Sequence, residues 1–399
     1  MSYRDTILAY ADKQYEVYRD MALQIHAKPE IGNQEYFACG LLTEQMRKEG
    51  FEVTVDIAGH PTGFTAVYKA AKPGPVIVFL AEYDALPGLG HGCGHNLFGP
   101  TSCLAAASLK QVVEETGGEI RVYGTPAEEG DVNGSSKASF VREGYFRDVD
   151  AALCVHPGSD HHELTHAEIA CAPIKISFTG KAAHAAANPQ DGVNALDALV
   201  LVFNAIGLLR QQLTPDVKIH GIVTKGGDAP NIIPAETEGW FYVRAATYDR
   251  MMKVYHRLEE IVQGAALQTG CTGQLVPAQR NLVENIVPTP LFDQVYARNL
   301  KSLGETLDES RVSPLGSSDV GNVSHVTPVI QPMIRISDTP VAGHSVEKVE
   351  ACRSETGLRS VALGAKALAL TALELLEQPD LLVKIKEDHA AALEREKTL

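Results

Sequence analysis

No stretch of this sequence stays apolar for long enough to cross a bilayer. The most apolar run, 361–376, is broken by Lys366, Thr371 and Glu374 and reads as a packed helix rather than a helix in lipid. Positive charge is also scarce. Lys and Arg number 35 against 50 Asp and Glu, a net charge of −15. A nucleic-acid or anionic-membrane partner needs basic patches, so neither is expected. The seven cysteines (Cys39, Cys93, Cys103, Cys154, Cys171, Cys271 and Cys352) are odd in number and scattered. That argues against a disulfide framework and for small buried hydrophobes, with Cys93 set apart for reasons given below. The first residues lead into mixed-charge helical sequence without an apolar signal core, and cytoplasmic residence is the simple expectation. Internal repeats and low-complexity segments are lacking as well.

What is present reads as two domains, because 399 residues exceed one ordinary core. Residues 5–50 read as helices broken at Pro29 and Gly32, followed by strands at 51–57, 63–69 and 75–82. The run Val76, Ile77, Val78, Phe79, Leu80 is continuously apolar, as a strand covered on both faces should be. A helix over 97–115, a strand over 119–123, a helix over 135–144 and a strand over 151–155 continue the alternation, which predicts an α/β sheet with parallel strands. The middle third differs. Strand 174–178, helix 192–213, strands 217–224 and 237–244, helix 248–267 and a strand near 273–277 give the β-α-β-β-α-β order of a small ferredoxin-like domain. A helix over 289–303, a strand over 328–336 and mostly helical sequence over 345–397 follow. The division is an α/β domain from 1–170 and 284–399, interrupted by an inserted α+β domain over 171–283.

Chemistry concentrates just past strand ends, where α/β sheets build their sites. After the buried strand, Gly-His-Gly-Cys-Gly-His-Asn (90–96) spaces His91, Cys93 and His95 by single glycines. Such a loop can bend so that thiolate and imidazole converge on one point. A tight turn carrying polar residues would look similar. After the next strand, Tyr123-Gly-Thr-Pro-Ala-Glu-Glu-Gly130 offers adjacent carboxylates, one to hold a metal and one to move a proton. His156, followed by a strand-stopping proline, ends a third strand. Recurrence at three strand ends is stronger than any one motif. His161, His162 and His166 read as a surface loop, and Gly343-His344-Ser345 is uninformative alone.

Together these segments resemble the dizinc metallopeptidase and amidohydrolase family of aminoacylases, hippurate hydrolases and carboxypeptidase G. The wording Ala-Glu-Tyr-Asp-Ala-Leu-Pro (81–87) looks closest to the branch of aminobenzoyl-glutamate hydrolase and β-alanyl-lysine dipeptidase. The resemblance covers nearly the whole chain. It implies a zinc-peptidase-like α/β catalytic domain with a ferredoxin-like α+β dimerisation (lid) domain inserted. It also implies two divalent metal ions held by Cys93, His95, Glu129, His156 and His344, zinc being the family expectation and manganese, cobalt or nickel the alternatives. By the same resemblance Glu128 is the general base on a metal-bound water. Asp84 orients the ligands, with Glu82 a weaker candidate for such support. His184 stabilises the oxyanion across a homodimer, Asn231 binds substrate and Arg244 grips its carboxylate. Asn96 and the pair Glu82-Tyr83 depart from the commoner hippurate-hydrolase wording, which bears on the substrate more than on the metal.

The expected reaction is hydrolysis of an amide bond in a small N-acyl amino acid or dipeptide, the inserted domain closing over the substrate. Two alternatives stay open at this point. One is a hydrolase using Cys93 as nucleophile with His95 or His91 as base. The other is a non-catalytic small-molecule binding protein on the same fold.

Overall fold

The computed structural model describes residues 2–131, 133–307 and 316–397. The chain opens with helices α1 (Tyr3–Ala27) and α2 (Tyr36–Lys48). Ser2 and Asp5 form a reciprocal capping box at the start of α1, and Ile7, Ala11, Tyr18, Met21, Ala22 and Ile25 line its buried face at helical spacing. Strands β1 (Glu52–Ile57) and β2 (His60–Lys69) form a hairpin. Its connecting residues Ala58 and Gly59 both take positive φ, the mirror-image geometry that matches strand twist. Next come β3 (Val76–Ala81), α3 (His95–Thr116), β4 (Glu119–Gly124), α4 (Ser136–Arg142), β5 (Ala151–Leu153) and β6 (His156–Pro157). The middle carries β7 (Ala170–Thr179), α5 (Ala195–Leu209), β8 (Lys218–Lys225), β9 (Glu236–Ala245), α6 (Tyr248–Thr269) and β10 (Thr272–Pro277). The chain continues through α7 (Pro290–Ser302), α8 (Val320–Ser324), β11 (Val329–Ile330), β12 (Met333–Ile334), α9 (Val346–Ala351), α10 (Glu355–Glu377) and α11 (Pro379–Glu396).

These elements form two compact units. The first is drawn from Met1–Ala167, Ile286–Leu315 and Asp319–Leu399. Its six-stranded sheet runs β1-β2-β4-β3-β5-β11. Strands β4, β3, β5 and β11 are parallel, whereas β1 and β2 are antiparallel to their neighbours. The expectation of a parallel sheet therefore holds for four strands only. A tight hairpin cannot join parallel strands, so β1 and β2 add an antiparallel edge. The single strand expected over 328–336 is split, and β12 pairs instead with β6 in a separate two-stranded ladder. Pro332, which lacks an N–H and restricts Gln331, stands at the break. The core of this unit lies between the sheet and helices α3 and α10, whose small residues (Ala105, Ala106, Ala365, Ala369) are wholly buried.

The second unit is Glu168–Asn285 with Gly316–Ser318. Its antiparallel sheet runs β10-β7-β9-β8, the order of a ferredoxin-like domain, and α5 and α6 pack on it over Ile174, Ile176, Phe178, Leu199, Phe241 and Leu258. Strand β8 lies at the edge and leaves Ile222 and Val223 exposed. Among the described residues no helix is long and apolar enough to cross a membrane.

Leu368 in α10 is completely buried. Its replacement by alanine is expected to cost about 2–5 kcal/mol through lost burial and a residual cavity. A lowered midpoint in urea unfolding, with activity per folded molecule unchanged, is the outcome to look for.

Candidate metal centre

Strands β4, β3 and β5 are parallel neighbours, so their C-terminal ends lie side by side. The segments leaving those ends carry Cys93 and His95, Glu128 and Glu129, and His156. Each turns sharply. Gly94, at φ 97°, starts α3, and a Cβ there would sit 2.6 Å from Cβ of Pro157, so only glycine fits. Ala127 takes φ 59°, a strained value for alanine. Its N–H donates to Oε1 of the buried Glu35 (3.0 Å), whose Oε2 accepts from the Thr62 hydroxyl (2.6 Å). That contact holds the turn that delivers Glu128 and Glu129.

Six side chains converge on this edge. Cys93, His95 and His156 form one set whose donor atoms lie within 4.8 Å of one another; Cys93, Glu129 and His344 form a second, and His95, Glu128 and Glu129 a third. Cys93, His95 and Glu129 each belong to two sets, the sharing expected where two cations sit close together. The ring orientations suit ligation. His95 Nδ1 lies 2.8 Å from Oδ1 of Asp84 and His156 Nδ1 lies 3.0 Å from the Pro157 carbonyl, which leaves both Nε2 atoms for a cation. Oδ2 of Asp84 accepts the Glu129 N–H at 3.0 Å. His344, at φ 56°, donates its N–H to the Gly92 carbonyl (3.0 Å) and brings Nε2 to 3.3 Å from Oε1 of Glu129.

A metal ion fits these donors. His95 Nε2 is buried without a hydrogen-bond partner, a costly state unless a cation satisfies it. Thiolate, imidazole and carboxylate are all donors to divalent metal ions. Burial and the carboxylates of Glu82 and Glu129 push the Glu128 carboxyl well above the usual carboxylate range. Hydrogen bonds to Cys93 and Glu129 push His344 up to about 10. Burial disfavours charge on His95, but Cys93, Asp84 and Glu82 outweigh it and push the ring well above the ordinary histidine value. His156 goes the other way, driven well below by burial and by Lys348 and His95.

Other residues fall elsewhere. His91 is buried and turned away, its Nε2 3.2 Å from the Ile25 carbonyl, and joins none of the three sets. His161, His162 and His166 do not form an exposed loop. His161 lies 2.9 Å from both Asp160 and Glu163, and His162 faces Glu305 at 3.2 Å. Polar contacts with these carboxylates let the stretch fold inward. His184, Asn231 and Arg244 all belong to the second unit. The first two are exposed neighbours, Ala185 N–H donating to the Asn231 carbonyl at 3.0 Å. Arg244, on β9, donates to the Ser317 hydroxyl at 2.9 Å and lies over the Tyr242 ring. Sequence reasoning missed Glu35, Lys137 and Asp319, which stand in no recognisable motif and gain meaning only through burial.

Residues 171–270 match the model of the peptidase dimerisation domain. The chain is 35% identical over 390 residues to mouse Xaa-Arg dipeptidase, covering 94% of this chain and 89% of the relative. It is 31% identical to a p-aminobenzoyl-glutamate hydrolase chain of Escherichia coli (strain K12), covering 95% and 92% of the two chains. Among solved structures, the YXEP protein of Bacillus subtilis, a dinuclear metal-binding peptidase from the M20 family, superposes with a TM-score of 0.65 at 20% identity, covering 91% of this chain and 99% of that one.

The geometry makes the centre testable in two ways. Asp84→Asn disturbs both the His95 ring and the Glu129 backbone, and should weaken metal binding by about 10–100-fold in chelator competition. In protein stripped by chelator, His344 and His95 carry protons at neutral pH, because both pKa values are raised. A metal must displace those protons, so uptake should release them, and affinity should rise with pH toward about 10. Calorimetry in buffers of different ionisation enthalpy measures the release, and finding none contradicts the ligand assignment.

Proposed function

Because the chain belongs to the M20 family of metal-dependent peptidases and amidohydrolases, we propose that it hydrolyses the amide bond of a small N-acyl amino acid or dipeptide at a two-metal site. The observation that carries this reading is the convergence of three overlapping donor sets, with Glu128 Oε2 4.0 Å from His95 Nε2. Cys93, His95, Glu129, His156 and His344 are the ligands, and zinc suits their chemistry, with manganese, cobalt or nickel as alternatives. When bound, the ions supply a polarised carbonyl and a more acidic water. Glu128 takes the proton of that attacking water and returns it to the departing amine nitrogen. Asp84 keeps His95 and Glu129 in place throughout.

The remaining roles fall to residues of the second unit. Arg244 pairs with the substrate carboxylate, a task suited to a planar guanidinium, and Asn231 binds alongside. His184, exposed and unburdened by burial, stabilises the oxyanion from the other copy of a homodimer. The match to a dimerisation domain and the exposed edge of β8 support that dimer. An Xaa-Arg dipeptide and an aminobenzoyl-glutamate both end in an amino acid with a free carboxylate, which supports the same substrate class for this chain. The seven free thiols support a reducing compartment, the cytoplasm.

The test is amino-acid release from a panel of N-acyl amino acids, dipeptides and aminobenzoyl-glutamate, with zinc or manganese and then with chelator. Turnover abolished by chelator and restored by metal is expected. Chelator-resistant turnover blocked by a thiol reagent would instead favour Cys93 as nucleophile, a role its 3.5 Å approach to His156 Nε2 permits. Glu128→Gln should lower kcat by about 10²–10⁴ while leaving metal content intact. Arg244→Ala should raise KM by about 10–100-fold for substrates with a free carboxylate and little for their amides.

A further inference from the structure

Behind His95 lies a buried charge cluster that the reaction described above does not use. Lys137, the second residue of α4, has no exposed surface. Its Nζ donates to Oδ1 of Asp319 and lies 2.7 Å from Oε1 of Glu82, while its backbone N–H donates to Oδ2 of Asp319 at 3.0 Å. Glu82 and Asp319 are equally buried. A buried ammonium between two buried carboxylates is costly unless every charge is met, and removing one partner leaves an uncompensated charge in the interior.

Its position says what. Oε1 of Glu82 is engaged by Lys137, and Oε2 lies 3.1 Å from His95 Nε2 without forming a hydrogen bond to it. His95 is thus flanked on both ring nitrogens, by Asp84 on Nδ1 and by Glu82 on Nε2. The Asp84 contact is a hydrogen bond with its own backbone support, whereas Glu82 is held on the side away from His95 by the lysine. Without Lys137 nothing would hold Oε1 back, and both oxygens of Glu82 could crowd the nitrogen meant for the cation, which Oε2 already faces. Asp319 in turn fixes the lysine from a position 182 residues away in sequence.

We propose that Lys137, braced by Asp319, is a positioning residue for the metal centre: it holds Glu82 by one oxygen and so sets the environment of His95 Nε2. The role rests on the metal-centre reading given above. Lys137 is fully buried behind Glu82 and belongs to none of the three donor sets, so its loss should act on metal affinity and kcat rather than on KM.

The experiment measures zinc and manganese affinity by chelator competition, together with kcat and KM at saturating metal, for the full-length wild type, K137M and E82D. E82D keeps the charge but shortens the reach to both Lys137 and His95. A 10–100-fold loss of metal affinity in each variant, a lower kcat and a KM within about two-fold of wild type are expected. Metal affinity and kcat within about two-fold of wild type in a folded K137M overturn the proposal, whatever happens to thermal stability. Should K137M fail to fold, K137M/D319N replaces it. That variant keeps the net charge of the cluster and still leaves Glu82 unanchored, so the same loss is expected and its absence is equally decisive. A wild type that binds neither metal overturns the metal-centre reading itself, an outcome distinct from unchanged variants of a metal-binding wild type.

Discussion

The carboxylate of Asp84 is the contact on which the rest of the centre depends. One oxygen fixes the His95 ring, and the other accepts the Glu129 N–H. A single buried side chain thereby ties the loop after β3 to the loop after β4, and the His95 ring to the Glu129 backbone. Burial alone would favour its neutral form, but His95 and the Glu129 N–H outweigh that and hold the Asp84 carboxyl below its usual value. A carboxylate that keeps its charge in the interior can orient an imidazole firmly, and this is why both Nε2 and the glutamate pair come to face the same space.

The same edge gathers more negative charge than the fold alone would tolerate. Glu82, Glu128, Glu129 and Asp319 lie close together, and burial together with the neighbouring carboxylates raises the Glu128 carboxyl. Lys137 meets part of that charge, and divalent cations would meet the rest. Backbone strain gathers here too. Ala127 and His344 both take positive φ, a cost of order 1–3 kcal/mol each that persists because Glu35 and the Gly92 carbonyl hold the two turns. Local rules are broken where a cation would repair the balance, the pattern expected of a functional site.

Much of this is legible in the chain. The apolar run 76–80, the single-glycine spacing around Cys93 and the adjacent glutamates mark strand ends and their cargo, because hydrophobic period and glycine placement are local signals. The β-α-β-β-α-β order of the middle third is likewise a local pattern, and the strand order β10-β7-β9-β8 is its natural folded form. The three histidines after position 160 read as exposed and are not, since a polar stretch looks the same whether it faces water or its own partners. The antiparallel edge of the large sheet escapes for a related reason: hairpin and crossover connections differ in where a strand lands, which periodicity does not record.

The sequence by itself determined which residues could bind a cation and which segments would carry them past strand ends. Only the tertiary structure decided that the His91 ring turns to the Ile25 carbonyl, that Asp84 serves two loops at once, and that Lys137 meets Glu82 and Asp319 in the interior. Residue type and local spacing fix chemistry and secondary structure. Pairing across 182 residues, and the burial that gives an ordinary lysine its consequence, exist only once the strands and helices have packed.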